Sequence, residues 1–254
     1  MSPLPALDLH AHIDPSIAAH ELVALGAAVF AVTRSLDEAK TALRRADATT
    51  VWGVGCHPGL AGAQKGFAVE RFADLITGTP FVGEVGLDGK SRVPMETQLA
   101  TLRAILGVLR DHPRITTIHS HAATTQTLRA IAEYGTPGVV LHWWLGSAHE
   151  TTAAVDLGCY FSINAAMIKR DTLLRAIPLD RILTETDHPF GDRGVRGDRR
   201  PGLVAPVEQA LAQLHSMSPL AVRMQLWRNL RTLSGEASVS ALLPTVIRRH
   251  LAAV

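Results

Sequence analysis

The chain has 254 residues, of which 47% are hydrophobic, 19% charged and 5% aromatic, and its formal net charge is +2. So low a charged fraction excludes a disordered or coiled-coil chain, and the near-neutral balance means that a nucleic-acid substrate would have to be gripped locally, at one site. No apolar run of about 18 residues is present to span a membrane, the first residues carry no basic segment followed by an apolar one, and two cysteines make no disulfide framework; a cytoplasmic setting is predicted.

Short apolar runs of strand length alternate with longer helical patterns along the chain. Ala6–Leu9 is the first run; Asp14-Pro15-Ser16 then signals a helix start before the pattern Ala18–Leu25. Ala27–Val32 is the second, and Ser35 with Glu38 three residues later reads as a capping box. Thr50–Gly55 and Phe81–Leu87 are the third and fourth, and Glu96–Leu109 has helical spacing. Next come Ile115–Ile118, the helical Thr125–Tyr134 with Gly135 as its stop, and Val139–Leu141. Ser147 with Glu150 repeats the capping box and Gly158 closes that helix; Tyr160–Ile163, the helical Asp171–Ile177 and Arg181–Leu183 complete the series.

Eight such units in about 250 residues predict an α/β fold, a single (β/α)8 TIM barrel taking residues 1-254 as one domain. A doubly wound open sheet is the competing architecture, but no Gly-x-Gly-x-x-Gly follows the first strand. Barrel enzymes carry their chemistry at the C-terminal ends of the strands, and the polar residues here collect there. His10 and His12 stand two apart at the end of the first strand and so face one way. Glu84 interrupts the apolar fourth strand, His119 ends the fifth, His142 the sixth, and Asp187 and His188 follow the eighth. One histidine on an apolar strand is ordinarily a hydrogen-bonded core residue; five strand ends offering His, Glu or Asp at one level predict a divalent metal, which offsets the desolvation of such a cluster. Imidazole with carboxylate suits Zn, Mn or Fe, and carboxylate with water admits Mg.

The ordered motifs are Asp8-Leu9-His10-Ala11-His12-Ile13-Asp14, Gly55-Cys56-His57-Pro58, Gly83-Glu84-Val85-Gly86-Leu87-Asp88, Ile118-His119-Ser120, Leu141-His142-Trp143 and Glu185-Thr186-Asp187-His188-Pro189-Phe190. With Asn229-Leu230 near the end, they make the chain resemble the TatD-like metal-dependent deoxyribonucleases of the metallo-dependent hydrolase superfamily. That resemblance implies two divalent metal ions (Mg, Mn or Zn): His10, His12 and Asp187 on one, His119 and His142 on the other, and Glu84 bridging. Ions about 3.5–4 Å apart clamp the attacking and leaving oxygens of a phosphodiester. It implies catalytic roles for Asp187, as the base for the attacking water or purely as a ligand, and for Glu84. The implied reaction is exonucleolytic hydrolysis of a nucleic-acid substrate, DNA above all.

Three departures from the family pattern bear on the substrate. His121 stands where arginine is common, His188 replaces a small residue after Asp187, and Gly89-Lys90 follows Asp88 where an aromatic is usual. Substrate contacts are predicted at His57, His121, His188 and Arg193. For His57 a plain turn histidine before proline is the equal alternative, and for His188 a capped turn. Glu185 is expected to point away from the barrel axis and to orient a ligand or a backbone group. Trp143 and Trp144 alternate faces, so one reaches the mouth or both pack. Cys56 and Cys159 read as small buried residues, and the basic loops Lys169-Arg170 and Arg193–Arg200 open on the catalytic face.

The segments Gly86–Gly89, Leu141–Trp143 and Gly158–Asn164 further resemble the TatD-type component of Qat anti-phage defence operons, which implies protein partners from such an operon. Two other function classes compete. A metal amidohydrolase or lactonase would bridge its metals through a modified lysine on the fourth strand, where this chain has Glu84. A catalytically weak subunit would serve only as part of a complex.

Overall fold

The computed structural model describes residues 4–254; Met1, Ser2 and Pro3, on which part of the reading about a leader rests, lie outside the described residues. Eight strands alternate with helices: β1 (Ala6–His12), β2 (Ala27–Val32), β3 (Thr50–Trp52), β4 (Phe81–Gly86), β5 (Ile115–His119), β6 (Val139–His142), β7 (Tyr160–Ile163) and β8 (Ile182–Thr184). The helices between them are α1 (Ala19–Ala24), α2 (Leu36–Ala42), α3 (Ala61–Lys65), α4 (Val69–Ile76), α5 (Met95–Asp111), α6 (Thr124–Tyr134), α7 (Ala148–Asp156) and α8 (Asp171–Ala176). Beyond β8 the chain adds α9 (Ala205–Leu214), α10 (Pro219–Glu236) and α11 (Thr245–Ala252).

All strand pairs are parallel, in a three-stranded sheet β1-β2-β3 and a five-stranded sheet β4 to β8. Hydrogen bonds outside the ladders join the two sheets at both seams. At one, Gly83 N–H donates to the Val54 carbonyl (3.1 Å), Cys56 N–H to Glu84 (2.9 Å) and Glu84 N–H to Thr33 (2.9 Å). At the other, the Thr184 hydroxyl donates to the Leu7 carbonyl (2.5 Å), Asp187 N–H to His10 (2.9 Å) and His12 N–H to His188 (3.0 Å). The result is a (β/α)8 barrel with its helices outside. Strands buried on both sides need near-continuous apolar runs, which is why β2 and β4 are buried throughout.

The helix ends follow local chemistry. The Ser147 hydroxyl accepts the Glu150 N–H while the Glu150 carboxylate accepts the Ser147 N–H, a complete capping box on α7. On α2 only half of the expected box forms, because Glu38 turns its carboxylate to the Arg34 N–H at 2.8 Å. Asp14 does not cap α1: its carboxylate accepts Ser16 N–H in a local turn, and the helix starts at Ala19 with Glu21 reaching back to Ala18 N–H. Gly135 ends α6 in the left-handed region at φ 60°.

Strand bounds shift where tertiary bonding competes. β3 stops at Trp52 because Val54 turns to β4, its N–H donating to the Phe81 carbonyl at 3.2 Å, while Gly55 N–H stays by the end of β2 on the Thr33 hydroxyl at 3.0 Å. β8 begins at Ile182, since Arg181 closes a short 3-10 turn. Helix α10 is seated on this seam by Asn229, whose amide donates to the Leu179 and Ile182 carbonyls at 2.8 and 2.7 Å. Among the described residues no helix is long and apolar enough to cross a membrane.

Candidate metal centre

Two of the strands that carry site residues break register where those residues sit. The β1–β2 pairing slips between Asp8 and Ala11, around His10, and the β4–β5 pairing slips between Val82 and Val85, around Glu84. Such irregularities re-aim a side chain beside an active site. Gly86 then lets β4 pass against β5: at φ 138°, an added Cβ would lie 2.1 Å from the His119 carbonyl oxygen. Asp187 itself takes a positive φ of 43°, outside the range most side chains adopt, and that conformation points its carboxylate back over β1.

Six side chains named from the sequence meet at this mouth. Glu84 is the hub: Oε1 lies 2.8 Å from His119 Nδ1 and 3.0 Å from His142 Nε2, and Oε2 lies 3.5 Å from His12 Nε2. His119 Nδ1 and His142 Nε2 are themselves 3.0 Å apart, so three donor atoms enclose one point. His12 Nε2 and His10 Nε2 face Asp187 Oδ1 at 3.4 and 3.8 Å. Single ligand atoms of His10, His12 and Asp187 fall within 4.8 Å of one another.

His10 is fully buried, yet neither ring nitrogen has a hydrogen-bond partner among the described residues. Unpaired polar atoms in such a place cost a few kcal/mol unless something satisfies them. A divalent cation fits this nitrogen-and-oxygen donor set, and both donor clusters could hold one. Charge is balanced internally here. Burial raises the Glu84 carboxyl, but His57, His119 and His142 outweigh it and hold it well below its ordinary value. Burial opposes protonation of His142, yet Glu185 and Glu84 raise it well above the usual histidine value. Burial and the neighbouring His142 push His10 well below that value, leaving it neutral.

A layer behind the donors sets their directions. Glu185, fully buried, accepts from Trp143 N–H (3.1 Å), Asn164 Nδ2 (2.9 Å) and the Ser162 hydroxyl, with Oε1 3.8 Å from His142 Nδ1. Asp8, also fully buried, accepts Thr186 N–H (2.9 Å), the Thr186 hydroxyl (2.7 Å) and Gly202 N–H (2.7 Å). Burial raises its carboxyl to about 6 despite those bonds. This clamp on Thr186 fixes the neighbouring Asp187. Asp8 stands two residues before His10, so the period-two argument that singled out the histidines reaches it too.

The family model described as TatD-related DNase matches residues 7–235. The chain belongs to the TatD-related DNase family. It is 28% identical over 147 residues to YabD, an uncharacterized metal-dependent hydrolase of Bacillus subtilis (strain 168), covering 54% of this chain and 58% of that protein. It is 30% identical over 118 residues to the 3'-5' ssDNA/RNA exonuclease TatD of Klebsiella pneumoniae (strain 342), covering 43% and 45%. The chain thus spans about half the length of the curated relatives it matches. The crystal structure of YJJV, a TatD homologue from Escherichia coli K12, superposes with a TM-score of 0.79 at 21% identity over 90% of this chain and 97% of that one, which supports the barrel fold.

Around the donor clusters of this TatD-family chain lies a cleft of about 490 Å³, lined by His12, His57, Glu84, Asp187, Phe190 and Arg193 among others. His57 Nδ1 accepts Gly59 N–H at 2.9 Å, so its proton sits on Nε2, 3.4 Å from Glu84 Oε2. Burial lowers the pKa of this ring. His121 and His188 are not among the residues lining the cleft. His121 is about half exposed beside Asp88, Nδ1 to Oδ1 3.4 Å, and His188 Nδ1 pairs with Asp192 Oδ2 at 2.6 Å. Trp143 lines the cleft, whereas Trp144 is fully buried with its indole N–H on the Thr151 hydroxyl at 2.9 Å. Cys56 and Cys159 are buried and their thiols are pushed up to about 12, as unreactive packing residues.

Proposed function

We propose that the chain is a two-metal phosphodiesterase that cleaves DNA, working from a 3′ end. The observation that carries this reading is Glu84, which sits between two donor clusters with one carboxylate oxygen toward each. His10, His12 and Asp187 would hold one ion and His119 and His142 the other, with Glu84 available to both. Mg, Mn or Zn would lower the pKa of the attacking water and stabilise the departing alkoxide. Asp187, on the wall of the cleft, accepts the proton of that water. His57 offers its Nε2–H to a non-bridging phosphate oxygen, and Arg193 brings a guanidinium fork to the same cleft. His121 and His188, outside the lining, contact flanking phosphates. The 3′ polarity is supported by the name of the Klebsiella relative, a 3'-5' ssDNA/RNA exonuclease.

Residues 1-254 act as one barrel domain in this reading, in the cytoplasm, and the resemblance to the Qat component makes proteins of a defence operon its partners. End-labelled oligonucleotides incubated with the Mg²⁺- or Mn²⁺-loaded protein test the core of it. Stepwise shortening, abolished by EDTA and by Asp187→Asn, is the expected result. Absence of cleavage by folded, metal-loaded protein would overturn the reading, leaving a small-molecule ester or amide, or a missing partner, as the next question.

A further inference from the structure

Two clefts open on the catalytic mouth, and Phe190 stands between them. One is the cleft around Glu84 and Asp187; the other, about 650 Å³, runs past Ile13, Asp14, Arg34 and Ser35, and His12 and Phe190 line both. Phe190 is 42% exposed, the one aromatic among the large exposed apolar side chains of the described residues. Its ring meets His12 edge to face at 5.3 Å, and the Arg193 guanidinium lies over it at 5.0 Å. Its backbone is tied to the metal centre, since Phe190 N–H donates to the Asp187 carbonyl at 2.6 Å. Core packing does not account for a phenyl ring left in water beside a polar cluster.

Resting on the phosphodiesterase reading, we propose that Phe190 is a stacking platform for one base of a single-stranded nucleic acid. The base takes the place of the Arg193 guanidinium over the ring, while the adjoining phosphate enters the Glu84 cleft. Arg193 lines that cleft and is free to turn to the phosphate. Every base has a π-face, so the platform works without sequence preference and is worth about 1–3 kcal/mol per base. A duplex keeps its base faces covered, which makes single strands and frayed ends the substrate class. The second cleft carries the carboxylates of Asp14 and Glu38 beside Arg34, a lining better suited to bases and sugar than to phosphate.

A short oligonucleotide with 2-aminopurine at its 3′ end and phosphorothioate linkages, bound to the Mg²⁺-loaded protein, tests the platform, because stacking quenches that fluorophore. Binding is expected to quench it several-fold. Phe190→Ala should abolish the quenching and weaken binding roughly 5- to 150-fold, Phe190→Trp should retain both, and Arg193→Ala should weaken binding in a salt-dependent way with the quenching intact. An oligonucleotide with an abasic 3′ residue should bind wild type and Phe190→Ala alike. Quenching that survives Phe190→Ala, or hydrolysis of unmodified oligonucleotide with no quenching on binding, overturns the platform and leaves the phosphodiesterase reading standing. Quenching lost with Phe190→Ala in a protein that hydrolyses no oligonucleotide supports the platform and overturns the phosphodiesterase reading instead. Neither binding nor hydrolysis overturns both.

Discussion

The imidazoles of His10 and His142 stack face to face, with ring centroids 4.0 Å apart and 20° between their planes. They come from β1 and β6, so the pair spans the barrel interior. Burial and the neighbouring His142 lower the pKa of His10, while Glu185 and Glu84 raise that of His142, so the two stacked rings are driven apart in their affinity for a proton. A neutral, unpartnered His10 has a lone pair to give to a cation.

Metal binding should therefore show as stability. At a free Mn²⁺ concentration of about 100 times its dissociation constant, stabilisation is about 2.7 kcal/mol, or roughly 5–10 °C in Tm for a chain of this size. His10→Ala and Glu84→Gln should lose most of that rise. Scanning calorimetry with and without EDTA measures it, and a metal-induced rise unchanged in both variants would place the ion elsewhere.

Gly86→Ala should cost about 2–4 kcal/mol, because its Cβ would meet the His119 carbonyl at 2.1 Å on a backbone at φ 138°. Urea unfolding reads the cost, and metal content of the surviving protein reads the displacement of His119. A variant of native stability would mean that β4 and β5 separate here without penalty.

Asp8→Asn should cost about 2–3 kcal/mol, since an amide cannot accept from Thr186 twice and from Gly202 as well. Asp8 is a positioning residue, so metal affinity should fall along with stability, because Thr186 adjoins Asp187. Full metal affinity in a destabilised variant would confine Asp8 to structure.

Glu150 accepts from Thr124, Thr125 and Ser147, and these bonds, led by the Thr124 hydroxyl, depress its carboxyl from 4.5 to about 2. A depressed carboxyl adds stability above its unfolded value and loses it as pH falls through the folded one. Glu150→Gln should thus lower stability by about 0.5–1 kcal/mol at pH 7, with the difference shrinking below about 4.5 and gone near 2. Parallel melting curves across that window check it; a difference independent of pH would assign the effect to helix propensity alone.

The metal-ligand candidates were legible because a strand's period of two makes a charged residue in an apolar run conspicuous: His10, Glu84 and His142 announce themselves that way. The barrel was legible for a similar reason, in the alternation of short and long apolar patterns. Contacts set by distant chain were not. The donors to Asp8 include Gly202, 194 residues on, and no local pattern names that partner. Asp14 had the chemistry of a helix cap but spent it on Ser16, a choice between two local bonds that sequence alone leaves open. Phe190 stood at the end of the last ordered motif, and nothing in that motif tells that its ring is left exposed. The helices α9 to α11 follow the eighth unit and belong to no repeat that would have placed them.

The seam between the last strand and the first is fastened by the Thr184 hydroxyl on the Leu7 carbonyl, residues 177 apart in the chain. During synthesis that bond, and the meeting of His10 with Asp187 beside it, waits until β8 and the residues just after it have left the ribosome. A chain interrupted before β8 presents histidines with no Asp187 to complete them. On the proposed ligand assignment, capture of the first ion would therefore report that translation has passed this point, and a half-made chain would carry no hydrolytic activity to be held in check.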